Sequence, residues 1–436
     1  MNNVKIIGAG MTKFVKPGSQ LPYRIMASNA VESALKDADI DKKHIQQVFA
    51  SYIYGDSTCG QHAFYDVAQL GVPVVNVNNN CASGASAIYL ARQAILSGEV
   101  DCAVAFGFEE MQPGALGSHW QDRESPFDRF TPVYDEFDVP PAPIALRAFG
   151  SAGKHYMEKF GVSPNLFAEV SVKSRQHAIN NPFSLFTSPL SVQEVLTDKV
   201  IFDSYLTRTM ACPPTCGAAA VVLCSETFTK KHGITNAVSI LGQGMATDTI
   251  DSWRDPISAV GSEMTKIASH KAYEAAAVSP NDIDVIELHD CFTTNEIITY
   301  EALGLCLEGE AEKLVIDRDN TYGGKYVVGP SGGLMSKGHP IGATGIAQCV
   351  ELSWHLTNRA GQRQVENAKL ALAHNIGLGG RGGSDYPWRR LAYNTCPAAK
   401  CSRTVFGLDG LVELKRSFRS ITDSVCLTRY LAKLGR

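Results

Sequence analysis

No apolar run in this chain approaches the roughly 18 residues that a membrane span requires, so no membrane-crossing helix is expected. The ends carry no recognisable address. The opening MNNVKIIGAGMTKF is neither a basic segment followed by an apolar one nor an Arg- and Ser-rich amphipathic helix, and the closing Leu434-Gly435-Arg436 is not of the Ser-Lys-Leu kind. An excess of one charge is also missing. A formal balance of −4 over 436 residues argues against nucleic acid as a main partner and leaves room only for a local basic patch facing a phosphorylated cofactor. The 12 cysteines are too sparse and irregular for a disulfide framework and read as reduced thiols of an intracellular protein. What is present, 44% hydrophobic and 19% charged residues, is the make-up of an ordinary globular protein with a large core and room for two or three domains.

The most informative stretch is VVNVNNNCASGASAIYLARQAILSGEV, residues 74–100. Val74, Val75 and Val77 end an apolar strand, asparagines follow, and Cys81 stands just before a helix whose apolar positions recur at helical spacing. Unpaired N–H groups and partial positive charge at a helix N-terminus favour a thiolate. Cys81 is therefore expected to be a nucleophile with a lowered pKa, although a single cysteine is more often a buried structural residue.

Along the chain, a strand over Lys5–Gly10, a helix over Tyr23–Asp39, a strand over Val48–Tyr54, the Cys81 unit and a strand over Cys102–Phe108 predict a parallel sheet packed between helices. Residues 111–206 mix Pro, aromatic and charged residues around helical patches at Ala152–Phe160 and Asn165–Asn180. They read as an insertion covering the working edge of the sheet. Strands resume at Ala218–Cys224 and Val238–Gly244, and a second half repeats the order of the first. It runs through a helix over Met264–Ala277, a strand over Asp284–Leu288, a helix over Asn295–Leu303, the Gly-rich Pro330–Gly345, a helix over Ile346–His355 and a strand over Lys369–His374. The expected domains are residues 1–262 and 263–387. Past Gly380, RGGSDYP places strand breakers where a closing apolar strand is wanted. Residues 388–436 read as an Arg- and Cys-rich tail of unassigned structure, either an atypical terminus or a shifted reading frame.

Three further loops carry chemistry. HDCF places His289 and Cys291 past the C-terminal end of a strand, where parallel sheets keep their working residues. SKGHPIGATG holds His339 ahead of a helix, and HNIGLGG offers His374 and a run of glycine N–H groups suited to an anion. Other matches fail on context. Gly377–Gly382 fits G-x-G-x-x-G without the following helix or a later acidic residue. Gly329–Gly333 fits G-x-S-x-G, but Pro330 and the lack of a following helix spoil the nucleophile elbow. Cys212-Pro-Pro-Thr-Cys216 lacks a second ligand pair for zinc.

Taken together, VNVNNNC, HDCF, GGLMSKGHPIGATG and HNIGLGG resemble the thiolase superfamily over roughly residues 3–380. HDCF is similar to the loop of the sterol-carrier-protein-2 branch, trypanosomatid members included, where other thiolases have Asn-Glu-Ala-Phe. The resemblance implies an α/β fold of five layers, α/β/α/β/α, built from two similar halves with an inserted loop domain. It implies homodimers or homotetramers, acyl-CoA thioesters as substrates and coenzyme A as co-substrate, with no permanent cofactor, no metal and no nucleic-acid partner. It assigns Cys81 as nucleophile, His339 as its base and an oxyanion donor, His289 as a second oxyanion donor and Cys291 as acid/base. Gly377 and Gly379 are the candidates for the remaining oxyanion-hole N–H. Contacts to coenzyme A stay unassigned. A peroxisome, glycosome or mitochondrion is the implied location. No sterol-carrier domain follows the thiolase part, so lipid transfer is not expected, and the strand that should brace the glycine loop is expected to be missing. Two other readings stay open: a catalytically weakened acyl-CoA- or lipid-binding protein, and a decarboxylating condensing enzyme of the ketoacyl synthase type, against which Cys291 counts.

Overall fold

Strands that are apolar on both faces need a helical layer on each side, and that requirement orders this chain. A computed structural model describes residues 3–112 and 122–379, and the backbone of 381–390. The frame consists of β1 (Val4–Met11), α1 (Tyr23–Ala38), β2 (Gln47–Ser51), α2 (Cys59–Tyr65), β3 (Val74–Val77), α3 (Ser83–Leu96), β4 (Cys102–Glu109), the inserted α4 (Ile144–Phe160) and α5 (Pro164–Ala178), β5 (Gly217–Ser225), β6 (Val238–Ile240), β7 (Gly244–Thr247), α6 (Ser262–Ala276), β8 (Val285–Glu287), α7 (Thr293–Ala302), β9 (Val327–Val328), α8 (Thr344–Leu356), β10 (Leu370–Asn375) and β11 (Arg381–Arg390). All of it lies within one compact unit, Met1–Leu391.

The strands pair in the order β9-β8-β10-β11-β6-β1-β5-β4-β2-β3, with β7 beside β11. The same pattern occurs twice. β3, β2 and β4 are parallel, then β5 and β1 alternate; β9, β8 and β10 are parallel, then β11 and its partners β6 and β7 alternate. The sheet is thus mixed, not parallel as the strand–helix alternation suggests. Only a crossover helix imposes the parallel direction, whereas β5 follows the insertion and β11 follows β10 by a short loop. β7, which precedes residue 262 in the chain, pairs with β11.

Side chains alternate between faces as the pleat requires. Ala103 and Ala105 of β4, Val221 and Leu223 of β5 and Ala371 and Ala373 of β10 meet Ile88 of α3 and Ile346 and Val350 of α8 in a central core. Cys102, Val104 and Phe106 face α1 on the far side. Leu370 and Leu372 face α7 and the inserted helices. The five layers are therefore α1, the first half of the sheet, α3 with α8, the second half of the sheet, and α6 with α7. Burying a side chain such as Val221 or Leu372 contributes about 1.5–3 kcal/mol. The insertion lies over the second half: Lys173 of α5 makes a buried ion pair with Glu296 of α7, and Ser174 Oγ donates to the Gly332 carbonyl.

The expected absence of a closing strand is overturned. β11 (Arg381–Arg390) pairs antiparallel with β10 from Ser384 to Arg389 and takes β7 and β6 on its other side. Strand formation here is set by two neighbouring ladders that need a partner, and this outweighs the weak strand propensity of RGGSDYP. Pro387, which cannot donate to a ladder, falls in the gap between the β7 register, which ends at Asp385, and the β6 register, which begins at Trp388. The tail assigned to residues 388–436 thus begins within this strand, and from residue 391 on it lies outside the described residues.

Candidate active site

Two helix starts meet at the centre. α3 and α8 touch through glycines: a Cβ on Gly345 would lie 2.4 Å from the Ala85 backbone nitrogen, and one on Gly84 would lie 3.0 Å from the Gly345 nitrogen. On the α3 side, Asn80 takes a φ of +49°, which Asn tolerates better than most residues. Its Nδ2 donates to the Leu378 carbonyl at 2.9 Å, and the Ser83 hydroxyl donates to its carbonyl at 2.6 Å. Cys81 follows with its sulfur faced by the N–H groups of Leu378 and of Cys81 itself.

The expected lowering of the Cys81 pKa does not hold. Desolvation by the surrounding protein pushes the thiol up to about 12; the two N–H groups pull it down, and the negative charge of Glu109 pushes it up further. The helix terminus acts in the expected direction, but burial of a charge outweighs it.

On the other side the loops are packed to contact. The Asp290 carboxylate accepts from the N–H of Leu334 at 2.8 Å, and a Cβ on Gly333 would lie 2.0 Å from its Oδ2. Burial raises Asp290 to about 7. Gly338, at φ +119°, leaves space for Thr215, whose hydroxyl accepts the His339 N–H at 3.1 Å. The loop after His339 docks on the first half, where Glu109 accepts from Gly342 N–H at 2.9 Å and Tyr54 N–H at 3.0 Å.

The Cys81 sulfur and one ring nitrogen each of His289 and His339 lie within 4.8 Å of one another, and the two rings meet edge to face at 5.1 Å. His289 Nδ1 lies 2.9 Å from Asn375 Nδ2. His339 Nδ1 lies 2.7 Å from the Thr344 hydroxyl, while its buried Nε2 has no partner among the described residues. Burial lowers His339 to about 3; it lowers His289 well below its usual value, with His339 and His374 adding to the shift. Both rings are neutral at pH 7. Cys291 is buried and its thiol pushed well up, first by desolvation and then by Cys212, Cys81 and Asp290. Cys and His are zinc-ligand types, and this trio is the group that could hold a metal among the described residues. The two backbone N–H groups at the sulfur suit an oxyanion instead.

Two family profiles cover most of the chain: "Thiolase, N-terminal domain" matches residues 4–204 and "Thiolase C-terminal domain-like" matches residues 242–383. The chain belongs to the thiolase family. As a thiolase it is an acyltransferase by family. Sterol carrier protein 2 of Bos taurus is 50% identical over 87% of this chain and 71% of its own length. Non-specific lipid-transfer protein-like 2 of Caenorhabditis elegans is 44% identical over 87% of this chain and 94% of its own. A solved structure of human mitochondrial 3-ketoacyl-CoA thiolase in complex with CoA shares the fold, with a TM-score of 0.67 at 18% identity over 90% of this chain and 98% of that one.

This thiolase brings Cys81, His289 and His339 together, with Cys291 close enough to feel the Cys81 charge. His374 faces away from them, bonded to Thr265 through Nε2 at 3.0 Å and accepting the His289 N–H at Nδ1. Of the glycine run, the N–H at the sulfur is that of Leu378, between the candidates Gly377 and Gly379; Gly380 lies outside the described residues. Sequence reasoning passed over Cys212–Cys216 as a failed zinc motif. That segment lines the site: Cys212 N–H donates to the Cys291 carbonyl at 2.8 Å, and Pro214 bridges to His339. Its double proline after the insertion is the one signal that a rigid strap returns there. Glu109 was also passed over, since an acidic residue at a strand end is common. Among the described residues, no helix is long and apolar enough to cross a membrane.

Proposed function

We propose that this thiolase cleaves 3-ketoacyl-CoA with coenzyme A. The observation that carries the proposal is one nucleophile-bearing helix start facing two buried histidines and a second thiol. As Cys81 Sγ bonds to the 3-keto carbon, His339 Nε2 takes the thiol proton, so no free thiolate is needed beforehand. The N–H groups of Cys81 and Leu378 receive the oxyanion of the tetrahedral intermediate. The Cα–Cβ bond breaks and its electron pair forms the enolate of acetyl-CoA, or of propanoyl-CoA for a 2-methyl substrate. His289, and His339 with its acquired proton, hydrogen-bond the enolate oxygen. Cys291 gives its proton to the enolate carbon, and the product leaves. The thiol of a second coenzyme A then attacks acyl-Cys81, yields its proton to the Cys291 thiolate and releases the shortened acyl-CoA; the departing Cys81 sulfur recovers its proton from His339. The reverse sequence is a Claisen condensation.

The solved relative bound to CoA supports the thioester carrier. Cys291 has no task in a decarboxylating condensation. The reading as a weakened binding protein rested on a missing strand, whose place β11 occupies. Homodimers or homotetramers belong to the same proposal, since among the described residues β3 is paired on one side only and an unpaired edge accepts a second copy readily. The test is thiolysis of acetoacetyl-CoA and of a longer 3-ketoacyl-CoA. Turnover is expected to fall about 10²–10⁴-fold in Cys291→Ala, with acyl transfer from an activated thioester to Cys81 retained. Acyl-CoA binding without turnover in the unmodified protein would overturn the proposal.

A further inference from the structure

His289 and His339 sit alike, buried, neutral and side by side, yet the reaction asks opposite things of their inner nitrogens. One must accept a proton from sulfur; the other must donate a hydrogen bond to an oxygen. We propose that Asn375 and Thr344 are positioning residues that impose opposite tautomers on the two rings, a proton on Nε2 of His289 and a lone pair on Nε2 of His339. The inference rests on the thiolase reading of the site for its chemical meaning.

At His339, the Thr344 hydroxyl donates its single proton to the Pro340 carbonyl at 3.0 Å. It can then only accept at Nδ1, 2.7 Å away. Nδ1 therefore carries the ring's proton and Nε2 is left as a base, the buried atom without a partner among the described residues. At His289, the Asn375 amide nitrogen is a donor only, so Nδ1 at 2.9 Å must accept and the proton sits on Nε2. Turning the amide over would put Oδ1 on Nδ1 and leave the other nitrogen of each ring an acceptor, in a cluster where one nitrogen of each ring and the Cys81 sulfur lie within 4.8 Å of one another. Two acceptors there would share a single donor, the Cys81 thiol, whereas a lone pair facing the other ring's N–H leaves that thiol free for one partner. Neighbours hold Asn375 in place: it ends β10, and the adjacent His374 receives the His289 backbone N–H while its carbonyl accepts from Gln348 at 3.1 Å.

The test is a two-bond ¹H–¹⁵N spectrum of the full chain labelled at histidine, with His289→Asn and His339→Asn spectra for assignment. The unmodified protein is expected to show a protonated Nε2 on His289 and a protonated Nδ1 on His339. In Asn375→Asp the carboxylate can only accept, so His289 should reverse its tautomer and His339 should not. Thiolysis kcat should then fall about 10²–10³-fold, the loss typical of one missing oxyanion donor, with KM within threefold and the rate of Cys81 alkylation by iodoacetamide within twofold. Thr344→Val should instead slow that alkylation about tenfold, and Thr344→Ser should restore it. A protonated Nδ1 on His289 in the unmodified chain, or an Asn375→Asp protein with its His289 shifts unchanged, overturns the proposal. Opposite tautomers in a chain that fails to thiolyse any 3-ketoacyl-CoA would defeat the proposed function and support this assignment.

Discussion

α3 and α8 occupy equivalent places in the two halves, each entering the central layer after the outermost parallel strand, β3 or β9. Their chemistry is not equivalent. The first half contributes one reactive side chain, Cys81, and a clamp, Asn80. The second contributes His289, Cys291, His339 and the Leu378 N–H. A repeated frame thus supplies two facing helix starts, and the loops leading into them decide the work. In the proposed mechanism one half holds the acyl group, and the other moves the protons.

Substitutions can break that division. The largest effect is expected from Cys81→Ala, on the order of 10⁴–10⁶-fold in turnover, with no acyl-protein adduct by mass spectrometry; a surviving adduct would move the nucleophile to the second half. Gly345→Ala comes next, because its Cβ would strike the Ala85 backbone, which cannot yield as a side-chain end can. A loss of about 3 kcal/mol should appear as a lower urea midpoint, and an unchanged midpoint would mean that the helices part freely.

The pH dependence sharpens the comparison. With Cys81 raised to about 12, the thiolate fraction is small at pH 7 and grows about tenfold per pH unit. Iodoacetamide alkylation should climb from pH 7 to 10 without levelling. A plateau near pH 7 would show that the helix terminus and His339 outweigh burial after all. The smallest effect is expected from Asn80→Ala, which cuts the bond to Leu378 across the halves. We expect kcat to fall about tenfold, by the loss of about 1.4 kcal/mol of positioning. Asn80→Gly should relieve the strain at φ +49° and raise stability over the Ala variant without restoring the rate.

Much of this was legible in the residues. Helical periodicity around Ser83–Leu96 and the apolar runs of β4, β5 and β10 carry their own signal, because burial on both faces demands them. The loop glycines read as turns, and the structure adds why they are glycine: Gly333 faces Asp290 and Gly338 faces Thr215. β11 was illegible for the opposite reason. β5 and β11 fill the same place in the two halves, yet one reads GAAAVVLCS and the other RGGSDYPWRR; what makes the second a strand lies in its partners. The Cys81 pKa was misread because helix-end charge is visible in a sequence and desolvation is not. Asn375 and Thr344 were passed over because an amide or hydroxyl shows its hydrogen-bond polarity only beside its partner.

The bond from Asn80 to Leu378 spans 298 residues. At about 5–20 residues per second of synthesis, the helix bearing the nucleophile leaves the ribosome about 15–60 s before the loop that completes the oxyanion pocket, with the base emerging in between. During that interval the thiol first lacks its proposed proton acceptor, and throughout it lacks the Leu378 N–H. On the proposed mechanism a nascent or truncated chain therefore carries an ordinary cysteine, and acyl transfer starts only when the last parallel strand and the loop after it are in place.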